Sequence, residues 1–170
     1  MSSDAGRIHP ELDVVEGEGT IRLEVRVDAS TDEVWSALTD PGRLGHWLGV
    51  VEGDLRQGGT YRGRWHASGW EGAGRIETCE PRRRLRVVTV EDDSPGEHAM
   101  EVTLAPLDAG SQVVVQQWNV PAALLDAYGA GLQIHVEDLI SHLAGGERCD
   151  ADTRWSELQP GYAELAKGLT

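Results

Sequence analysis

The chain has 170 residues, of which 39% are hydrophobic and 26% charged, and its formal net charge is −14. This size and composition fit one globular domain that buries a core without disulfides or metals. The negative charge opposes approach to phosphate backbones and anionic headgroups, so we expect no nucleic-acid binding and no membrane docking.

The first 18 residues are polar and acidic and have no hydrophobic period, which predicts a flexible leader or a late-docking arm. They lack a basic region followed by an apolar one, so no secretory signal is expected. Apolar runs are too short to cross a bilayer, so no membrane insertion is expected. Cys79 and Cys149 lie far apart without metal-like spacing, which favours a cytoplasmic protein with free thiols.

A strand followed by a capped helix begins the predicted domain. "TIRLEVRVD" alternates apolar and polar residues, as a half-buried strand does. Ser30 and Glu33 then form a capping-box pattern, and Asp40-Pro41-Gly42 ends the helix, because the residue before proline avoids helical geometry. "RLGHWL" predicts a second short helical turn.

Short segments rich in β-formers fill the chain from about residue 50 to residue 120, and turn residues divide them. They predict a meander of antiparallel strands whose interior glycines permit coiling and bulges. Alternation places Thr78 on the inner face and Cys79 on the outer face. Next, an apolar stripe predicts one long helix over about Ala122 to Ala144. Pro160 is expected to divide the tail into two short helices.

The order of these elements, together with the strings "VDASTDEVWSALTDPGRLGHWL", "GGTYRGRW", "GSQVVVQQWNVP" and "AYGAGLQIHVEDLISHL", resembles the START-like (SRPBCC, or birch-pollen-allergen-like) superfamily. Within it the chain is similar to the bacterial branch named after the activator of the 90-kDa heat-shock-protein ATPase. The resemblance covers residues 20 to 168. It implies an α+β helix-grip fold, in which a curved antiparallel sheet of about six to seven strands wraps a long C-terminal helix. Two short helices follow the first strand.

We therefore expect a leader at residues 1–18, a helix-grip domain at residues 19–146 and a helical extension packed on it at residues 147–170. In the resembling folds a hydrophobic cavity remains between the sheet and the long helix. Strand alternation and the helical stripe predict which side chains line such a cavity. The candidate ligand-binding residues are Trp35, Trp47, Tyr61, Trp65, Trp70, Met100, Gln117, Tyr128, Leu132, His135 and Leu139. The tryptophans are equally open to a role as core fillers, since the chain has no Phe.

Acid–base chemistry is a second possibility for the same cavity. His135 is its sharpest candidate, followed by His98 and Tyr128, although a core histidine bonded to a neighbour is the plainer interpretation. His135 and His142 are too far apart for helix-borne zinc ligands, and nucleophile, phosphate-loop and dinucleotide motifs are absent. No metal and no cofactor are therefore expected. The basic run at residues 81–86 is interpreted as a solvated turn or strand edge, with anion binding as the alternative.

These patterns lead to three hypotheses. The first is binding of a small hydrophobic molecule, a lipid or polyketide-like metabolite, for transport, sequestration or self-resistance. The second is an enzyme of the cyclase, dehydratase or hydrolase type. The third, which comes from the resemblance, is a co-chaperone-like interaction module. The protein is expected to be a monomer or a homodimer.

The net charge of −14 generates a first prediction. Because like charges repel, a labelled DNA duplex should show no rise in fluorescence anisotropy with micromolar protein at physiological salt. A rise that disappears as salt increases would contradict this expectation.

Overall fold

The computed structural model of the chain describes residues 5–91 and 97–169. An eight-stranded antiparallel sheet runs in the spatial order β1-β2-β8-β7-β6-β5-β4-β3. The strands are β1 (His9–Val15), β2 (Glu18–Val27), β3 (Gly49–Gly53), β4 (Thr60–Trp65), β5 (Glu71–Glu80), β6 (Arg84–Glu91), β7 (His98–Pro106) and β8 (Ser111–Pro121). The helices are α1 (Thr31–Thr39), α2 (Pro41–Trp47), α3 (Leu125–Leu143) and α4 (Ala151–Ala166). The predicted α+β helix-grip fold is confirmed, with one strand more than the expected range.

The extra strand, β1, corrects the expectation of a flexible leader. Residues 9–15 pair antiparallel with β2, and β1 also contacts α4. Leu12 and Val14 are half-buried against the core while the residues between them point to solvent. This short alternation stabilises an edge strand, although acidic residues and Pro10 obscure it in the sequence. Residues 1–4 of the predicted leader lie outside the described residues.

Two caps fix α1 and α2 after β2, as the sequence predicts. Ser30 Oγ accepts a hydrogen bond from the backbone N–H of Glu33 at 3.2 Å, and Asp40 Oδ1 accepts one from Gly42 at 2.9 Å. Each cap satisfies an N–H group that the first helical turn leaves unpaired. Trp47 at the end of α2 is buried, and its indole N–H donates to the carbonyl of Ala37 at 2.9 Å. The two short helices thereby form one rigid wall.

The long helix α3 follows a 3-10 turn at Ala122–Leu124, so it begins three residues later than predicted. Its main contacts with the sheet are with β2 and β8, where Ile21, Leu23 and Val113 are fully buried. α1 and α2 also contact α3. The helix is therefore held toward one side of the curved sheet, and the concave face of the middle strands is left to line a cavity.

The final helix, α4, is continuous through Pro160, so the prediction of two short helices is wrong. A proline inside a helix costs about 3 kcal/mol, but packing against α3 offsets that cost. Arg154 forms a 2.7 Å ion pair with Glu137 of α3. On the other side of the proline, buried Tyr162 donates its hydroxyl hydrogen to Gln133 Oε1 at 2.6 Å. Tertiary contacts on both sides of the proline therefore override local propensity.

The α3–α4 contact depends on a missing side chain at Gly129. A Cβ atom built there would lie 2.4 Å from the ring of Tyr162, whereas one at Gly131 meets nothing within 4 Å. Gly129 is therefore the position at which the ring of Tyr162 lies directly on the helix backbone.

The two glycines form a matched pair of variants. Gly131→Ala should raise the free energy of unfolding by up to about 1 kcal/mol, because alanine favours helix and has room. Gly129→Ala should lower it by about 1 to 3 kcal/mol, because the ring must move. Urea unfolding of both variants measures the difference, and equal stabilisation by both would contradict the packing of Tyr162 on Gly129.

Candidate functional site

An inner cavity lies between the concave face of the sheet, the wall of α1 and α2, and α3. The volume of this cavity is about 140 Å³. Side chains from β3 to β8 line it on one side, and Leu132, Val136 and Leu139 of α3 line it on the other. Nearly all of these groups are aliphatic or aromatic, so the inner cavity suits apolar matter.

A second, outer cavity adjoins the inner one. Its volume is larger, about 520 Å³. Its walls come from the β4–β5 hairpin, from β6 to β8, from α3 and from the first turns of α4. It carries more polar groups, among them His98, Gln117 and Asp152. Five residues line both cavities: Trp65, Thr89, Met100, Leu132 and His135. The two spaces therefore meet at a shared boundary.

The structure brings most of the predicted candidates together. The inner cavity is lined by Trp47, Tyr61, Trp65, Met100, Leu132, His135 and Leu139. The outer cavity is lined by Trp65, Trp70, His98, Met100, Gln117, Tyr128, Leu132 and His135. Trp35 is in neither set; it is half-buried on α1 and packs against the core. The buried face of α1 is formed by Val34, Ala37 and Leu38, and Leu38 lines the inner cavity.

Several lining residues are absent from the predicted ligand-binding candidates, and two examples differ in whether the sequence could reveal them. Leu85, Val87 and Thr89 alternate along β6 and face the cavities, and their period of two was a readable signal. Trp155 of α4 lines the outer cavity and donates its indole N–H to the carbonyl of Ala127 at 3.3 Å. Its position depends on the turn between α3 and α4, which no local pattern fixes.

Interior glycines of β4 and β5 make room for aromatic rings on the concave face. Gly74 pairs directly with Tyr61, and a Cβ on Gly74 would lie 2.4 Å from that ring. A Cβ on Gly72 would lie 2.7 Å from the ring of Trp70. These rings therefore come close to bare backbone, where a larger residue would displace them. Burial raises the pKa of Tyr61.

Two histidines that line the outer cavity each hold one buried ring nitrogen without a partner among the described residues. His98 is only 8% exposed, and its ring stacks on Tyr128 with centroids 5.9 Å apart. The Nδ1 atoms of His98 and His135 are buried and have no hydrogen-bond partner among the described residues. Burial lowers the pKa of His135 to about 4, so its imidazole is neutral at pH 7. Each Nδ1 can donate or accept one hydrogen bond, according to its tautomer.

Comparison with known proteins assigns the family. The model of the family described as "Activator of Hsp90 ATPase homolog 1-like protein" matches residues 28–144, which is more than half of the chain. The chain belongs to this family. The resemblance to the START-like superfamily is thereby confirmed, and β2, which precedes the matched residues, supplies the first core strand. No curated protein matches the chain significantly.

Solved structures of similar proteins share this family fold. CalU16 from Micromonospora echinospora is 26% identical with a TM-score of 0.76, over 95% of this chain and 98% of its own. CV1439 from Chromobacterium violaceum is 32% identical with a TM-score of 0.61, over 73% of this chain and 96% of its own. DynU16, from the dynemicin biosynthetic locus, is 27% identical with a TM-score of 0.70. The match to DynU16 covers 77% of this chain and 50% of that protein.

A β-bulge changes the face of Cys79 in this family member. The register of β5 against β6 shifts between Ile76 and Thr78, and Cys79 then pairs with Leu85, whose side chain lines the inner cavity. Cys79 is half-buried against the core, so its predicted outward orientation is wrong. The bulge adds one residue and reverses the alternation, an effect that sequence periodicity cannot reveal. Burial raises the pKa of the thiol.

The basic run at residues 81–86 is paired with carboxylates. Arg84 contacts Glu101 at 2.9 Å, and Arg86 contacts Glu77 at 3.2 Å. Arg86 also lies over the ring of Trp118, 4.8 Å from its centroid. Residues 81–83 form a turn, as one of the interpretations expects, but Arg84 and Arg86 lie on β6, which is an interior strand and not an edge. The paired guanidinium groups carry less free charge for an anion.

The described residues show neither a metal-binding cluster nor a membrane-spanning helix. In residues 5–91 and 97–169, no three His, Cys, Asp or Glu side chains are grouped to hold a metal ion. Over the same part of the chain, no helix is long and apolar enough to span a bilayer.

The lowered pKa of His135 generates a test of its environment. Between pH 6.5 and 4 the unfolded chain binds a proton at this residue that the folded protein does not, so stability falls as pH decreases through that window. The loss attributable to His135 should be on the order of 1 to 3 kcal/mol.

Carboxylates also change the stability of the protein in this pH range. The variant His135→Phe separates the contribution of His135 from theirs. Urea unfolding at pH 7 and pH 4.5 should show a smaller loss of stability in the variant than in the wild type. An identical loss in both proteins would mean that the imidazole is not desolvated in the fold.

Proposed function

We propose that this protein binds a small hydrophobic molecule in its adjoining inner and outer cavities. The observation that carries the proposal is an apolar space that shares five lining residues with a neighbouring space holding a few polar groups. A pocket with that composition is typical of small-molecule sites, where apolar walls supply affinity and a few polar atoms orient the ligand. Neither cavity is lined by Lys or Arg among the described residues, which favours an uncharged ligand.

The biological setting of one relative supports a metabolite as the ligand. DynU16 comes from the dynemicin biosynthetic locus. The match to CalU16 covers nearly all of this chain and nearly all of CalU16. A polyketide-like natural product, held for transport, sequestration or self-resistance, is therefore the ligand class that we propose first. A lipid is the alternative occupant of the same apolar walls.

An enzyme of the cyclase, dehydratase or hydrolase type is the alternative function. His98, Tyr128 and His135 line one cavity, which brings the three acid–base candidates to the same space. A catalytic imidazole is usually oriented by a hydrogen bond that its second ring N–H donates, often to a carboxylate. Neither Nδ1 has such a partner among the described residues, so the geometry supports binding more than proton transfer.

The proposal is tested at Leu132, which lines both cavities and is 4% exposed. Leu132→Trp adds ring volume at the boundary between the cavities. It should weaken binding of the uncharged fluorescent probe N-phenyl-1-naphthylamine by roughly tenfold, the equivalent of about 1.4 kcal/mol. The thermal midpoint should change little, because the indole enters cavity volume instead of a filled core.

Leu165→Trp is the matched control, because Leu165 lies on α4 and is 46% exposed. This variant should bind the probe as the wild type does. Unchanged binding by Leu132→Trp, together with a sharply lowered midpoint, would show that Leu132 is part of a filled core and would count against the proposed site.

A further inference from the structure

Helix α2 is tied to its neighbours by two histidines that use their rings in opposite ways. Nε2 of His66, just after β4, lies 2.8 Å from the carbonyl oxygen of Gly45 in α2. A carbonyl oxygen only accepts, so this nitrogen carries a hydrogen and donates it. Nε2 of His142, in the last turn of α3, lies 3.2 Å from Nε of Arg43 in α2. A guanidinium N–H only donates, so Nε2 of His142 accepts through its lone pair.

The two contacts therefore respond differently to a proton. An imidazolium carries hydrogen on both ring nitrogens, so protonated His66 still donates to Gly45. Protonated His142 has no lone pair left for Arg43, and a second cation then faces the guanidinium group. Repulsion replaces the hydrogen bond at this point, because like charges at hydrogen-bond distance repel.

We propose that the contact between Arg43 and His142 is an acid-sensitive latch. At neutral pH it holds α2 against the C-terminal end of α3. When His142 takes up a proton, this side of α2 is released while the contact with His66 is kept. Leu44 and Trp47 of α2 line the inner cavity, so release loosens one wall of that cavity. The latch is independent of what the cavity binds.

The neighbours of His142 oppose its protonation while the latch is closed. Burial lowers the pKa of His142, and the charges of Arg43 and His46 lower it further. The rings of His46 and His142 are stacked with centroids 6.0 Å apart. Glu33 of α1 raises the pKa, but it also pairs with Arg43 at 3.4 Å. Because the closed state binds this proton less tightly than the released state, the latch is closed above pH 6.5 and weakens as pH falls below that value.

The other charged groups near His142 leave its lone pair to Arg43. Asp138, one turn earlier on α3, accepts a hydrogen bond from the backbone of Cys149 at 2.9 Å. The cleft beside His142 is also lined by His66, Glu147, Arg148 and Cys149. Within residues 5–91 and 97–169, none of these side chains bonds to the His142 ring. The last turn of a helix favours a positive charge, so the end of α3 stabilises the protonated ring once Arg43 has moved away.

Hydrogen exchange of a peptide covering residues 41–48 measures release of α2, and slow exchange of β2 confirms that the protein is folded. NMR titration of the imidazole groups gives the midpoint for His142. Exchange is then measured near pH 7.5 and about one pH unit below that midpoint, and proteins are compared at the same pH. His142→Gln keeps an accepting oxygen that does not titrate. The α2 peptide of the wild type should exchange as in His142→Gln near pH 7.5 and roughly three- to tenfold faster in acid, the range for one net hydrogen bond.

Two further variants test the donor and the specificity. Arg43→Met removes the donor, so its α2 peptide should exchange roughly three- to tenfold faster than that of the wild type near pH 7.5. Its exchange should show no further rise in acid, and the midpoint of His142 should increase because the opposing charge is gone. His66→Gln is the matched control, since it removes a titrating ring from the same cleft. It should keep the acid response of the wild type.

The latch is overturned if wild-type exchange in α2 does not rise in acid, or if His142→Gln shows the same rise. An unchanged midpoint of His142 in Arg43→Met also overturns it, and so does loss of the acid response in His66→Gln. If fast exchange of β2 shows that the wild type unfolds in acid, the comparison with Arg43→Met near pH 7.5 decides. Equal α2 exchange in those two proteins would then mean that the contact holds nothing in place.

Discussion

The close approach of aromatic rings to bare backbone is the constraint on which the rest of this site depends. Tyr61, Trp65 and Trp70 need space above the sheet, and Gly63, Gly72 and Gly74 supply it where a Cβ atom would collide. The rings therefore occupy space on the concave face of β4 and β5 that side chains at the glycine positions would otherwise fill. A sheet of branched aliphatic residues at the same positions would project further toward α3. The glycines therefore help to preserve the volume between sheet and helix.

The position of α3 follows from a second set of contacts on its other side. β2 and β8 hold one face of the helix, and α4 holds another through the seating of Tyr162 on Gly129 and the ion pair of Arg154 with Glu137. These contacts fix the helix without requiring it to touch the middle strands. Leu132 and His135 consequently face a cavity instead of a packed sheet. The final helix thus has a direct part in shaping the site, although it lies outside the segment that the family model matches.

Signals within a few neighbouring residues made most of the strands, the first two helices and the long helix predictable from the sequence. The cap at Ser30, the stop at Pro41 and the stripe on α3 are each decided within a few residues. The errors arose where distant contacts decide the outcome. Pro160 stays inside a helix because α3 supports α4, and Cys79 turns inward because a bulge changes the register of β5. β1 becomes a strand because β2 offers it an unpaired edge.

The same division applies to the candidate site. Alternation placed Tyr61, Trp65 and Met100 on the concave face, and the helical stripe placed Leu132 and His135 opposite them. No pattern could show that Trp155 reaches the outer cavity, since that depends on the path of the chain between two helices. Nor could a pattern show that the histidine Nδ1 atoms have no partner within residues 5–91 and 97–169. An unpaired buried polar group costs about 1 to 3 kcal/mol, which is a large share of the roughly 5 to 15 kcal/mol by which proteins are stable. A leucine at either position would avoid that cost, so the two histidines lower the stability of the protein alone.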